Sequence, residues 1–188
     1  LPDYALCIDA THPYAVEVTK NIQAACEATG TPLRRLLRQE SATEATWVTV
    51  ESTEQAAAFL QTTEGNILLT TGAKELPAFA GLDPTRLYPR VLPTHAALDA
   101  CEALGIPHKN ILALQGPFTR EMNKAMLTQY NVKWLVTKDG GKAGGFTDKA
   151  DAAHEKHVPL VLIRRPREDG QTMEEILYEL GEEEGKCK

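Results

Sequence analysis

Asp9-Ala10-Thr11-His12-Pro13-Tyr14 places a carboxylate, a hydroxyl, an imidazole and a phenol within six residues. Such a set can hold a polar ligand and move a proton, since His12 titrates near neutrality and Tyr14 can donate a hydrogen bond or a proton. A helix cap from Thr11, with Pro13 in the first turn, would account for Thr and Pro. It would not account for His12 and Tyr14 beside Asp9. A second set is Lys138-Asp139-Gly140-Gly141-Lys142-Ala143-Gly144-Gly145. Backbone N–H groups of a glycine turn leading into a helix can cradle phosphate or carboxylate, and the lysines add charge. The spacing is neither GxxxxGK[ST] nor GxGxxG, and a plain surface loop would read the same way. Thr70-Thr71-Gly72 and Gly116-Pro117-Phe118 offer bare backbone and a preset turn. Their alternatives are a tight turn and a packed Phe118. Arg34, Arg35 and Arg38 form a basic cluster. His154 and His157 lack a third ligand nearby, so they read as an exposed helix face and no metal site is expected.

These sets sit where strands end. Ala5 to Asp9 reads as a strand, and Tyr14 to Ala28 as a helix stopped by Gly30. Pro32 to Arg38 and Trp47 to Val50 read as strands. Ser52 opens a helix to Gln61, with Gln55 completing a capping-box pattern. Asn66 to Gly72 is a buried strand. Residues 73–93 read as irregular, with Arg86 to Leu92 extended and the prolines of 84–93 forming a hinge. Helices then follow at 94–104, 119–130, 148–156 and 172–180, with strands at 110–114, 132–137 and 159–163. The tail GEEEGKCK reads as frayed. Strands separated by helices imply right-handed parallel βαβ units, which bind ligands at the carboxyl ends of their strands. The expected fold is α/β: two small Rossmann-like lobes with parallel sheets, residues 1–90 and 91–188, and a ligand cleft between them.

The 188 residues are 43% hydrophobic and 24% charged, with a formal charge of −6. Those are ordinary globular values, and the charge argues against bulk binding to nucleic acid. No run approaches the ~20 apolar residues of a membrane helix, and Leu1-Pro2-Asp3 does not open a secretory signal. Cys7, Cys26, Cys101 and Cys187 form no CxxC pair and read as reduced thiols, so a cytoplasmic location is expected.

The blocks DATHPYA, LLTTGAKEL, RLYPRVLP, ALQGPF, VTKDGGKAGGFTDKADAA and PLVLIRRP, in that order, resemble the precorrin-6A reductases of cobalamin biosynthesis from about residue 5 to 166. The chain departs from the family at Gly140-Gly141, where Ser-Gly is common, and at Gln39-Glu40, where Arg-Pro is common. Family members typically open with a further strand and a Gly-Gly-Thr turn, so the expectation is a chain lacking its first βαβ portion. The resemblance implies NADPH-dependent reduction of one double bond in a corrin precursor, either metal-free or its cobalt complex. It implies His12 and Tyr14 as proton-relay or macrocycle-placing residues. It implies Thr71, Gly72, Gly116, Pro117, Phe118 and Lys138 as cofactor-binding. Asp9, Thr11, Arg38, Lys142, Gly144, Gly145 and Lys149 would bind the carboxylate-rich substrate. The protein would act as a monomer or homodimer, without nucleic acid or membrane. Two other readings are a non-catalytic α/β module that holds an anion and a corrin-pathway methyltransferase. The first lacks long inter-lobe crossovers, and the second lacks its glycine motif after the first strand.

Overall fold

The computed structural model describes residues 4–37, 47–140, 145–166 and 169–186, with side chains through Gly181. The chain divides into two compact units, Leu1–Glu40 with Pro166–Lys188, and Ser41–Arg165. This division differs from the expected boundary at 90/91, which falls inside a strand.

The first unit contains β1 (Cys7–Asp9), α1 (Val16–Thr29), β2 (Leu33–Arg35) and α6 (Met173–Lys186). β1 and β2 pair in parallel, with Asp9 opposite Arg35. Gly30 ends α1 in the left-handed region at φ 65°. α1 begins later than its pattern suggested, and its N-cap is Ala15, without a side-chain cap. α6 continues through Lys186, so the helix runs on past Leu180 where fraying was expected. Two distant segments join here. Leu37 N–H donates to Gln171 O (2.8 Å) and Gln171 N–H to Arg35 O (2.8 Å). Arg34 Nε donates to Glu179 at 3.0 Å. Gly170 makes this seam possible, because a Cβ there would lie 2.6 Å from Arg35 O.

The second unit contains β3 (Val48–Val50), α2 (Thr53–Leu60), β4 (Asn66–Leu69), β5 (Leu87–Val91), α3 (His95–Ala103), β6 (Leu112–Ala113), α4 (Arg120–Gln129), β7 (Val132–Lys138), α5 (Phe146–Glu155) and β8 (Leu160–Ile163). Its six strands pair in parallel in the order β3-β8-β7-β4-β5-β6. Successive apolar residues serve opposite faces, as buried parallel strands require. Ile67, Leu69, Val136 and Val161 pack with α2, α3 and the 3-10 segment Ala73–Phe79. Leu68, Leu135, Leu160 and Leu162 pack with α4 and α5. Ser52 caps α2 by accepting Gln55 N–H (3.2 Å), and Gln55 Oε1 accepts Glu51 N–H (2.9 Å).

The proline-rich stretch is not a hinge. Pro84 opens a 3-10 turn, and Pro89 lies inside β5, paired beside Leu69. Leu87, Pro89 and Val91 are buried, so burial outweighs the ladder hydrogen bond that proline cannot donate. Among the described residues, no helix is long and apolar enough to cross a membrane.

Gly170→Ala should destabilise the chain by about 1–3 kcal/mol in urea unfolding through overpacking against Arg35. Gly181→Ala, whose Cβ meets nothing within 4 Å on α6, should instead stabilise by roughly 0.5–1 kcal/mol. Equal effects at the two positions would rule out the close approach at Gly170.

Candidate functional site

The chain leaves β4 toward β5 and β6 on one side, then returns to place β7 on the other side of β4. Connections from the adjacent strands β4 and β7 therefore diverge, and α/β sheets leave a crevice at that point. Thr70 closes the seam beneath it: its N–H and Oγ1 both donate to Val136 O, at 3.0 and 2.8 Å. Above the strand ends lies a cavity of about 1040 Å³. That is ample for a nucleotide or a similar large ligand.

Seven of the expected site residues line it: Thr71, Gly72, Gly116, Pro117, Phe118, Gly145 and Lys149. They come from three different strand exits. Gly72 adopts φ 91° and ψ 162°, a conformation closed to residues with a Cβ. Thr71 Oγ1 is buried and has no hydrogen-bond partner among the described residues. Five residues expected for the cofactor and two expected for the substrate, Gly145 and Lys149, thus share one cavity.

Lys138 is placed differently. It ion-pairs with Glu75, which also accepts Thr53 Oγ1 at 2.8 Å, and it does not line the cavity. Burial opposes ionisation of Glu75, but hydrogen bonds from Lys138 and Thr53 outweigh it and hold the carboxyl below its usual range. Arg38, Lys142 and Gly144 lie outside the described residues.

Asp9, Thr11, His12 and Tyr14 belong to the first unit. Asp9 is 2% exposed. Its Oδ1 ion-pairs with Arg35 at 2.9 Å and accepts Thr11 N–H at 3.0 Å. Arg35 Nη1 also donates to Thr11 Oγ1 at 2.9 Å. Thr11 therefore ties the turn to β2 rather than capping α1. Burial pushes the Asp9 carboxyl up, while Thr11 and the Arg35 charge pull it down, and the net shift is downward. The Tyr14 N–H lies 3.4 Å from His12 Nδ1, and the two rings stack with centroids 5.5 Å apart.

Several candidate cations are already neutralised. Arg34 pairs with Glu179, Arg164 with Glu51 and Arg165 with Asp139. Lys149 is not: it is 9% exposed and makes no hydrogen bond or ion pair among the described residues. Burial, aided by the field of Arg90, lowers its pKa to about 8. Sequence reasoning missed Arg90, which also lines the cavity and whose pKa burial lowers to about 10. Its signal was there: an arginine on the even-numbered face of RLYPRVLP, inside a sheet covered on both faces, needs a reason to be buried.

The model of the precorrin-6x reductase CbiJ/CobK family matches residues 3–180. The chain belongs to the precorrin-6x reductase family. It is 40% identical over 182 residues to a cobalt-precorrin-6A reductase of Priestia megaterium, covering 92% of this chain and 71% of that protein. It is 35% identical over 168 residues to a cobalt-precorrin-6A reductase of Methanothermobacter thermautotrophicus, covering 87% of this chain and 55% of that one. A solved structure of the CobK precorrin-6A reductase superposes with a TM-score of 0.72 at 27% identity, over 95% of this chain and 73% of that one. The chain thus spans between about half and three quarters of the length of these reductases.

Two outcomes follow from the buried charges. Asp9→Asn should cost about 3 kcal/mol at pH 7 by removing the buried carboxylate that pairs with Arg35. The Asp9 pKa is depressed on folding, so its stabilisation is present above its unfolded value of 3.8 and is lost as pH falls through the folded value. Urea melts between pH 3 and 7 should therefore show a shallower acid slope in the variant. Lys149 is the opposite case, since its pKa falls on folding from 10.5 to about 8. The unfolded chain binds more protons in that window, so wild-type stability from this group should rise with pH across it. Lys149→Met should remove the rise and gain about 3 kcal/mol at pH 7. A parallel pH profile for both proteins would mean Lys149 is not buried as a cation.

Proposed function

We propose that the chain carries the ligand-binding part of a reductase that reduces one double bond of precorrin-6A or its cobalt complex with NADPH. Relatives bearing both substrate names share the family, and all of them are named as reductases. The observation that carries the reading is the family's sequence match laid over a cavity whose Arg90 and Lys149 meet no carboxylate among the described residues.

The residues of the cavity fit a phosphorylated dinucleotide. Gly72 offers bare backbone, Thr71 an unpartnered hydroxyl, and Lys149 an unpartnered ammonium. When bound, the nicotinamide supplies the hydride, so the protein needs no nucleophile. What the chain does is position and screen. Apolar walls from Val91, Leu92, Ala97 and Pro117 exclude water around a flat ring system. His12 and Tyr14 would place the macrocycle or deliver the proton to the carbon next to the reduced one. Asp9 serves them indirectly, by holding their turn on β2 through Arg35.

Calorimetric titration of the chain should show micromolar NADP⁺ binding with a clear preference over NAD⁺. In single-turnover reduction, His12→Ala or Tyr14→Phe should slow the step by roughly 10²-fold or more. Unchanged rates in both variants would remove the proton-relay role, and absence of any NADP⁺ preference would count against the reductase reading.

A further inference from the structure

The cavity holds two cations drawn away from bulk water, Lys149 buried and Arg90 half-buried. Arg90 stands on β5, and its guanidinium lies 4.1 Å from the centroid of the Phe118 ring. Nη1 donates to Asn123 Oδ1 at 2.7 Å and contacts the Met126 sulfur at 3.7 Å. Its Nε and Nη2 donate to no described residue. No carboxylate pairs with it among the described residues, and none pairs with Lys149 on α5.

Several residues serve to hold this arrangement. Asn123 is 3% exposed, and its amide donates to Thr119 O (2.9 Å) and Phe118 O (3.3 Å), which turns Oδ1 toward Arg90. Gly116 lets Phe118 come close, since a Cβ there would lie 3.1 Å from its ring. A ring under one face, an amide on one nitrogen and a thioether alongside lock the guanidinium in a single plane. A fixed guanidinium and a buried ammonium, neither meeting a carboxylate among the described residues, are unfavourable unless something negative arrives.

We propose that Arg90 and Lys149 form a built socket for a single oxyanion group, and that this group is the anchor of whatever ligand fills the cavity. The socket is read from the shared cavity, from the contacts that hold Arg90, and from the lack of a carboxylate on either cation among the described residues; only the source of the anion, a phosphate of the dinucleotide or a carboxylate of the macrocycle, rests on the proposed function. The charged groups around Lys149 agree. Arg90 faces it from β5, and Lys74 lines the same cavity. Lys124 on α4 is turned to Glu155, and Lys138 on β7 to Glu75. The field at the socket is therefore positive. Because Lys149 titrates near pH 8 in the free chain, an incoming anion must raise its pKa and draw a proton from solvent.

The test is calorimetry of the 188-residue chain at pH 8 with inorganic pyrophosphate, NADP⁺ and uroporphyrin, an octacarboxylate tetrapyrrole, each in two buffers of different ionisation enthalpy. At least one probe should bind with uptake of about half a proton. Lys149→Met should abolish the uptake and weaken that probe by about tenfold or more, and Arg90→Lys should weaken it comparably. Both variants keep an apolar or cationic stem in place, and an unchanged far-ultraviolet spectrum will show that they fold. Loss confined to pyrophosphate and NADP⁺ assigns the socket to a phosphate, whereas loss confined to uroporphyrin assigns it to a carboxylate. Wild-type binding without proton uptake, affinities unchanged in both variants, or no binding of any probe would each overturn the socket. If NADP⁺ preference and turnover persist while the variants bind normally, the socket fails and the reductase reading stands. If pyrophosphate binds with uptake in a chain indifferent to NADP⁺, the reverse holds.

Discussion

The pairing of β4 with β7 is the constraint on which the larger unit depends. These neighbours are far apart in sequence, and the chain departs from them in opposite directions along the sheet. Helices and turns that follow them cannot cover the space between. Thr70 seals the floor of that gap with two bonds to Val136 O. Everything above the floor is then open to a ligand, and the strand exits that line it come from segments spread over residues 70 to 149. The position of the cavity is thus a consequence of topology.

Charge placement decides what that opening can accept. Most cations near strand ends are spent on structure: Arg34, Arg35, Lys138, Arg164 and Arg165 each meet a carboxylate. Among the described residues, Arg90 and Lys149 do not. An overall charge of −6 therefore coexists with a locally positive, largely apolar cavity. Such a site favours a ligand with a flat apolar body and anionic groups, and both a dinucleotide and a corrin precursor have that form. The cost falls on the unliganded chain, as stability surrendered to keep two cations out of water.

The smaller unit uses the same kind of interaction for the opposite purpose. Asp9 looks like chemistry in sequence, at a strand tip beside His12 and Tyr14. Its carboxylate is buried against Arg35, and it stabilises the turn that presents its neighbours. A carboxylate that must hold a backbone turn is poorly placed to meet a ligand as well. The motif is therefore divided, with Asp9 and Thr11 building the turn and His12 and Tyr14 carried on it.

The sequence by itself determined the alternation of strands and helices, the parallel sheets and the family, because period, caps and motif blocks are local signals. Ser52 with Gln55, Gly30 and the run Ile67–Leu69 all formed what their patterns implied. It also named seven of the residues that line the cavity, since strand exits in such folds share one edge. Only the tertiary structure decided which strands are neighbours, where the two units divide and which charges are paired. Pro89 shows why: its local preference argues against an inner strand, and burial between β4 and β6 overrides it. Arg90 shows it again: its place on an inner strand hints that it leaves bulk water, but nothing within RLYPRVLP says that Phe118 and Asn123 will hold it. Pairing depends on what lies opposite, and residues opposite one another here are tens of positions apart in the chain. Spacing cannot report that distance; the packed sheet does.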